Sequence, residues 1–233
     1  MILTLLACSG PLEPPEEEQL AGISYQVNWE SISRLGPHRL ELTARLDGDL
    51  DQHTESFSVL WGSWDDFQVL RARDGRITQD LRVIGGTAWR SMDGESFRRH
   101  DDAEIYRADL STTWNEWDRL LEPVLGGLQL EPDRETVVEG RPAQRYLVSL
   151  APDYLPPGRK ANLPTSVSGN LTLDRATGVR LLGDVSAEYL ERGEADAPAS
   201  ITVTLLRSGI GEMPEIPIPE QAAKKRKRKK KAN

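Results

Sequence analysis

The 233-residue sequence contains a single cysteine, Cys8, so no disulfide bond can form within the chain. It has no uninterrupted apolar run of about 18 residues or more, which excludes a membrane-spanning helix in this sequence. Aromatic residues make up only 6% of the chain, but all six tryptophans fall between positions 29 and 117. The chain must therefore owe its stability to a packed core, and its length is sufficient to build one.

Residues that carry catalysis or bind metals occur without a recognisable arrangement. The three histidines, His38, His53 and His100, lie in polar, turn-like sequence without metal-ligand spacing. No G-x-S-x-G motif occurs. The segment Asp47–Asp51 begins like a calcium loop but lacks the glycine and glutamate that an EF-hand requires, which favours a hairpin turn. We predict a protein that is not an enzyme and needs no cofactor or metal. Paired carboxylates among 37 acidic residues leave a hydrolase as an alternative.

Lysine is nearly absent except in one run near the C-terminus. That run consists of Lys224, Lys225, Arg226, Lys227, Arg228, Lys229, Lys230 and Lys231. It holds eight of the 29 basic residues, which leaves 21 against 37 acids and a charge of −16 for the rest of the chain. An acidic body argues against nucleic acid as the partner. We expect residues 220–233 to be a disordered tail. It either binds an anionic surface, at about 1 kcal/mol per basic residue, or only adds solubility.

The first ten residues are apolar up to Cys8 and then become polar. The sequence Leu5-Leu6-Ala7-Cys8 resembles the bacterial lipobox, in which a small residue precedes a cysteine that is diacylated. The apolar run is short and lacks a basic n-region, so we interpret residues 1–8 as a truncated lipoprotein signal segment; a chance cysteine is the alternative. Acyl chains such as palmitate on Cys8 would hold the protein on a bilayer, at about 0.8 kcal/mol per buried CH₂. Residues 9–19, rich in Pro and Glu, predict a stiff charged tether.

Most of the sequence between residues 20 and 219 alternates apolar and polar side chains with a period of two. The pattern predicts about ten antiparallel strands, apolar on one face, of which the first runs from Ile23 to Trp29. Asp74-Gly75 and Asp93-Gly94 are typical of hairpin turns. We also expect a turn at Gly140–Pro142 and a surface loop at Pro152–Pro164.

One segment, Ser111–Leu125, has helical periodicity instead. Thr113 and Glu116 have the spacing of a capping box at its start, and a proline and a glycine pair end it. Its apolar face is formed by Trp114, Trp117 and Leu121. The sequence therefore predicts one short amphipathic helix packed on a sheet.

Several stretches occur together in this chain. They are the Cys8 lipobox, the strand meander before an internal helix, V-E-G-R-P-A-Q-R-Y-L-V-S-L at Val138–Leu150, L-T-L-D-R-A-T-G-V at Leu171–Val179, and the ending I-T-V-T-L-L-R-S-G-I-G-E-M-P-E-I-P-I-P at Ile201–Pro219. In this combination the chain resembles the half-barrel carrier family of the bacterial envelope, the LolA/LolB and LppX-type lipoproteins. The resemblance implies a single mainly β (α+β) domain over residues 20–219, a curved antiparallel sheet enclosing a short helix. A closed barrel is the alternative.

Members of that family bind acyl chains between sheet and helices and carry or receive lipids or lipoproteins. The resemblance therefore implies an envelope lipoprotein. Its location would be the outer membrane, because Ser9 rather than the Asp that retains lipoproteins at the inner membrane follows the cysteine. We expect it to face the periplasm and to be a monomer. Its partners would be a lipid or acylated protein and, through lipidated Cys8, the membrane. The expected ligand cavity is lined by Tyr25, Val27, Trp29, Leu42, Val59, Trp61, Trp89, Trp114, Trp117 and Leu121. The alternative is a non-catalytic interaction lipoprotein in which these side chains fill the core.

Overall fold

The structure is a computed structural model that describes residues 29–48, 52–100, 106, 110, 114–156, 158, 161–191 and 196–219. Several predicted features lie outside the described residues: the signal segment with Cys8, the tether, Tyr25 and Val27, Ser111–Thr113, and the basic residues Lys224–Lys231.

In the described part of the chain, eleven antiparallel strands form one open, curved sheet, which confirms the predicted mainly β half-barrel. In chain order the strands are β1 (His38–Gly48), β2 (Gln52–Ser63), β3 (Asp66–Arg73), β4 (Arg76–Ile84), β5 (Thr87–Ser91), β6 (Arg98–His100), β7 (Leu128–Val138), β8 (Arg141–Leu150), β9 (Leu163–Asp174), β10 (Arg180–Glu191) and β11 (Ala197–Ser208). Their spatial order is β6-β5-β4-β3-β2-β1-β11-β10-β9-β8-β7. Strands β1–β6 thus form one meander and β7–β11 a second, and the two meet where β1 pairs with β11.

The turn predictions hold in part. Asp74–Gly75 joins β3 to β4 with φ angles of 51° and 74°, as a tight hairpin requires. The turn expected at Gly140–Pro142 lies one residue earlier, at Glu139–Gly140, where both φ angles are positive. Arg141–Pro142 already belongs to β8, because the positive φ of the two preceding residues completes the reversal of the chain.

Helix α1 (Trp29–Leu35) replaces the end of the strand predicted from Ile23 to Trp29. Ile32 and Leu35 lie three residues apart and are both buried in the core, which the helical spacing allows and a strand would not. Gly36, with φ of 89°, ends the helix. The prediction that Trp29 lies on a strand was therefore wrong.

Two short helices, α2 (Glu116–Leu120) and α3 (Glu122–Leu125), replace the single predicted helix over residues 114–125. Pro123 has no N–H to bond to the preceding turn, so the helix is interrupted at Leu121. The predicted capping box is wrong as well. Asn115 is the N-cap of α2 but makes no side-chain capping hydrogen bond to the helix, and the carboxylate of Glu116 binds arginines. Among the described helices, none is long and apolar enough to cross a bilayer.

The core lies between α2–α3 and one face of the sheet, which we call the concave face. In β1, Leu40, Leu42 and Ala44 point to it and are buried, while the residues between them are exposed. The twelve residues from Trp114 to Leu125 contact both meanders: Trp61 of β2 on one side, and β9, β10 and β11 on the other. The sheet must therefore curl around this segment.

Residues 209–219, the C-terminal segment, return along the outer face of the first meander. The N–H of Gly211 donates to the carbonyl of Pro37 (2.7 Å), and the guanidinium of Arg82 donates to the carbonyl of Pro217 (2.8 Å). Pro214 and Pro219 are buried there. The outer face of the sheet is therefore covered over part of β2–β4 and exposed along much of β1 and β11.

Candidate functional site

Six of the ten predicted cavity residues come together in one apolar cluster on the concave face. They are Leu42, Val59, Trp61, Trp114, Trp117 and Leu121, none of them more than 3% exposed. The rings of Trp61 and Trp114 meet edge to face, with centroids 5.8 Å apart. Tyr25 and Val27 lie outside the described residues, and Trp29 begins α1. In this structure the side chains of sheet and helices pack directly on one another.

Trp89 does not belong to this cluster and corrects one prediction. Its neighbour Ala88 pairs with Val83, on the face that includes Trp61. Trp89 itself pairs with Arg82, on the opposite face, which the C-terminal segment covers. Directly opposed residues of antiparallel strands share a face, so Trp89 is buried on the outer side of the sheet. The prediction placed Trp89 on the apolar face of its strand. In the structure its neighbour Ala88 occupies that face, so the predicted alternation is shifted by one residue.

Helix α2 is attached to β2 and β3 by a set of charged side chains that we call the Glu116 cluster. The carboxylate of Glu116 is only 5% exposed; it binds Arg71 (3.0 Å) and Arg119. Arg119 also reaches Glu55 of β2 (2.5 Å). The guanidinium groups of Arg71 and Arg119 both lie over the ring of Phe57, at 5.3 and 5.6 Å from its centroid. Burial raises the pKa of Glu55, but the hydrogen bonds and charges of Arg119 and His53 together outweigh it, so the net shift of the pKa is downward.

A second polar group, the Arg207 cluster, lies deeper on the concave face and consists of Arg207, His38, Trp114, Arg180 and Asp118. Arg207, which pairs with Leu40 of β1, is 1% exposed. Its Nε donates to the carbonyl of Arg180 (2.7 Å), its Nη1 meets Nε2 of His38 (2.5 Å), and its guanidinium lies over the indole of Trp114 (5.2 Å). Arg180 is 2% exposed and donates to Asp118 of α2 (2.7 Å).

The hydrogen bonds of the Arg207 cluster fix its charges. His38 Nδ1 lies 2.7 Å from the carbonyl of Gly36, so it carries the proton and Nε2 accepts from Arg207. Burial, followed by the charge of Arg207, lowers the pKa of His38 to about 3, so the imidazole is neutral. Burial and the charge of Arg180 lower the pKa of Arg207 to about 9, which still leaves it charged at neutral pH. Counted over the described residues of the cluster, two guanidinium groups and the carboxylate of Asp118 therefore leave one excess positive charge.

The sequence analysis missed the Arg207 cluster, because polar residues were assigned to turns and surfaces. The sequence does contain a signal for it, namely which positions along each strand alternate with the exposed ones. His38 is in step with Leu40 and Leu42, and Arg207 is in step with Val203 and Leu205, so the same periodicity places both polar side chains on the apolar face.

Comparison with known proteins identifies similar folds only. No protein-family model matches the chain, and no curated protein matches its sequence. Among solved structures, the MucA/MucB complex of Pseudomonas aeruginosa matches with 16% identity and a TM-score of 0.28, over 83% of this chain and 59% of that one. The LolA superfamily protein NE2245 from Nitrosomonas europaea matches with 12% identity and a TM-score of 0.24, over 78% and 88%. A DUF1329 family protein from Desulfovibrio piger matches with 14% identity and a TM-score of 0.22, over 77% and 89%.

The matched MucB chains are longer than this one, which spans 57–61% of their length. Identities of 12–16% and TM-scores of 0.22–0.28 carry no argument about ligand, partner or activity. The strand order and the helical segment on the concave face describe the fold directly: it is an open half-barrel, the architecture that the sequence resemblance implied.

Proposed function

We propose that this chain is an envelope lipoprotein that binds an acyl chain, belonging to a lipid or a lipidated polypeptide, between the concave face and α2–α3. It would carry or receive that guest at the outer membrane, with lipidated Cys8 as the anchor. The observation that supports the proposal is a wide apolar face whose described cover from Trp114 to Leu125 consists of two short helices, of five and four residues. A guest would displace this small cover without breaking the eleven-stranded sheet.

The guest must replace contacts that are already made, because the apolar cluster is fully buried. Each CH₂ group transferred from water contributes about 0.8 kcal/mol, so a long acyl chain would contribute on the order of 10 kcal/mol toward lifting α2–α3. The Glu116 cluster lies at the edge of this segment, and its arginines are partly exposed, 28% for Arg71 and 50% for Arg119. Water and a guest can therefore compete for these ion pairs first, and the proposal includes no covalent chemistry.

Binding of palmitate to the purified full chain tests the proposal. We expect a lipid to co-purify from bacteria and to be visible by native mass spectrometry. We also expect Trp117→Ala to weaken palmitate binding at least about tenfold, because it removes a large apolar surface. Trp89→Ala is the matched control, since it removes a buried tryptophan from the outer face and should leave palmitate affinity unchanged. Far-UV circular dichroism checks that both variants fold.

The dense packing of the cluster favours a second candidate, an interaction lipoprotein with a filled core. That function predicts a folded chain that binds neither palmitate nor co-purifying lipid. The same result would rule out the carrier proposal. Equal losses of affinity for Trp117→Ala and Trp89→Ala would show that the concave face is not the binding site.

A further inference from the structure

The acyl-binding proposal does not use the polar groups of the Arg207 cluster, which are buried on the same concave face. We propose that Arg207 and the indole N–H of Trp114 bind an oxyanion of the guest, so that the chain selects anionic acyl lipids over neutral ones. This inference rests on the proposed function and names its ligand class.

The first argument is charge. Asp118 balances Arg180, but no carboxylate of the described residues lies within ion-pairing distance of Arg207. The neighbouring His38 accepts a hydrogen bond and carries no charge. A guanidinium that is 1% exposed has given up most of its hydration, which costs several kcal/mol unless an anion compensates it. Carboxylates and phosphates are the groups that match a guanidinium in charge and geometry.

The second argument is an unused donor beside that charge. Trp114 is 3% exposed, and its Nε1 is buried without a hydrogen-bond partner in the described part of the chain. Buried indole N–H groups are normally bonded, because leaving a donor unpaired costs about 1–3 kcal/mol. The ring carrying this N–H lies 5.2 Å from the Arg207 guanidinium. A single oxyanion near the edge of the ring could accept from both groups after a small shift of Trp114.

The third argument is position. Trp114 lies two residues before α2, and Trp61 of the apolar cluster packs edge to face against it. A guest that lifts α2 and lays its acyl chain on the apolar cluster would bring its head group to Arg207. The shared chemistry is an oxyanion attached to an alkyl chain, supplied either by the carboxylate of a fatty acid or by the phosphate of a phospholipid.

Calorimetric titration of the full chain with four probes tests the inference: sodium palmitate, hexadecyl phosphate, 1-hexadecanol and inorganic phosphate. We expect palmitate or hexadecyl phosphate to bind about tenfold or more tightly than hexadecanol, since a charge-assisted hydrogen bond is lost with the neutral head group. The tighter of the two anionic probes identifies the head group as carboxylate or phosphate. Tight binding of inorganic phosphate alone would contradict a lipid ligand.

Two variants assign the residues. Trp114→Phe keeps an aromatic ring but removes the N–H together with part of the indole surface. Both probes lose the apolar contact and only the anionic probe loses the hydrogen bond, so we expect the affinity for the anionic probe to fall about tenfold more than that for hexadecanol. Arg207→Met should abolish the preference for the anionic probe. Arg39→Gln is the matched control, because it removes the same charge from the exposed face of β1 and should preserve that preference.

The outcomes separate the two proposals. Equal affinity of the unmodified chain for palmitate, hexadecyl phosphate and hexadecanol overturns the anion site and leaves acyl binding intact. Binding of no alkyl probe overturns both. If Arg207→Met fails to fold, Trp114→Phe decides: an undiminished preference for the anionic probe in that variant refutes the role of the indole N–H.

Discussion

Individual residues on the concave face have environments that their own sequence neighbours do not reveal. His38 follows a Gly-Pro pair, a sequence typical of turns, yet it is fully buried beside Arg207 because β1 begins at His38 itself. The alternation of apolar and polar residues is visible in the sequence. A polar residue such as His38 at a position that the alternation assigns to the buried face looks, from sequence alone, like the end of the strand. Only the long-range pairing of β1 with β11 brings His38 and Arg207 together.

The buried imidazole of His38 makes the stability of the protein depend on pH. In the unfolded chain a histidine takes up a proton near pH 6.5, but in the folded protein His38 does so only near pH 3. Between these values the unfolded state binds more protons, so the free energy of unfolding falls as the pH is lowered from about 6.5, by at most about 1.4 kcal/mol per pH unit for this group.

Urea unfolding at pH 7, 6 and 5 measures this dependence, and His38→Gln should reduce the slope. The range stays above the pH at which most carboxylates titrate. His100→Gln, a change at an exposed histidine, should keep the slope of the unmodified chain. A slope that is the same in His38→Gln as in the unmodified chain would show that His38 is not held neutral by the fold.

Gly169 is a position where the approach of two strands excludes any side chain. A Cβ added there would lie 2.1 Å from the carbonyl oxygen of Asp184 and 2.7 Å from Cα of Val185, both backbone atoms of β10. Because backbone atoms in a paired strand cannot move aside, we expect Gly169→Ala to lower the free energy of unfolding by about 2–4 kcal/mol. Gly158→Ala is the control, since no atom lies within 4 Å of the added Cβ, and it should change the value by less than about 0.5 kcal/mol. Equal urea midpoints for the two variants would contradict this prediction.

At the scale of elements, strands were more predictable than helices because their period is short. Alternation over a few residues identifies a strand, whereas α1 has seven residues and, among its side chains whose burial is described, Ile32 and Leu35 mark its buried side. The segment before Leu125 has the apolar face of one helix, but Pro123 divides it. What remains correct is the placement of Trp114, Trp117 and Leu121 against the sheet.

The attachment of α2 to the sheet through Glu116 can be weakened without altering the apolar cluster. Glu116→Gln keeps the size of a buried side chain and removes its charge, so Arg71 and Arg119 lose an anionic partner. Only the carboxylate of this ion pair is buried, so removing its charge should cost about 1–3 kcal/mol, and we expect α2 to open more often. Amide hydrogen exchange at Trp117–Leu121 should become at least about tenfold faster, with little change in β1 and β11.

Glu122→Gln is the matched control for this exchange experiment. Glu122 begins α3, next to the same bend, but its side chain is exposed. The two variants therefore change the net charge equally and differ in burial. Faster exchange in both, or in neither, would show that the Glu116 cluster does not hold α2 to the sheet.

At the scale of the whole molecule, the two meanders share one core although only one pair of strands, β1 and β11, joins them in the described sheet. Hairpins within each meander are local and follow from turn sequences such as Asp74–Gly75. The pairing of β1 with β11 joins residues about 160 positions apart, and nothing in either strand specifies the other. The sequence could therefore predict the class of sheet from alternation, while the order in which the meanders join depends on the shared apolar cluster.

A sheet with one core should unfold in a single transition. All tryptophans precede β7, so their fluorescence reports on the first meander and on the contact of α2 with the second. Far-UV circular dichroism reports on the strands of both meanders. Val203 lies in β11 at 0% exposure, opposite Ala44 of β1 and Val185 of β10. We expect Val203→Ala to destabilise the protein by about 2 kcal/mol and to shift the fluorescence and dichroism midpoints in urea together. Val137→Ala, at a 66% exposed position on the edge strand β7, should shift neither midpoint.

The outcome that would contradict this prediction is a dichroism shift without a fluorescence shift, because Val203 lies in the meander that has no tryptophan. It would mean that the two meanders unfold separately and that the concave face is not one continuous core.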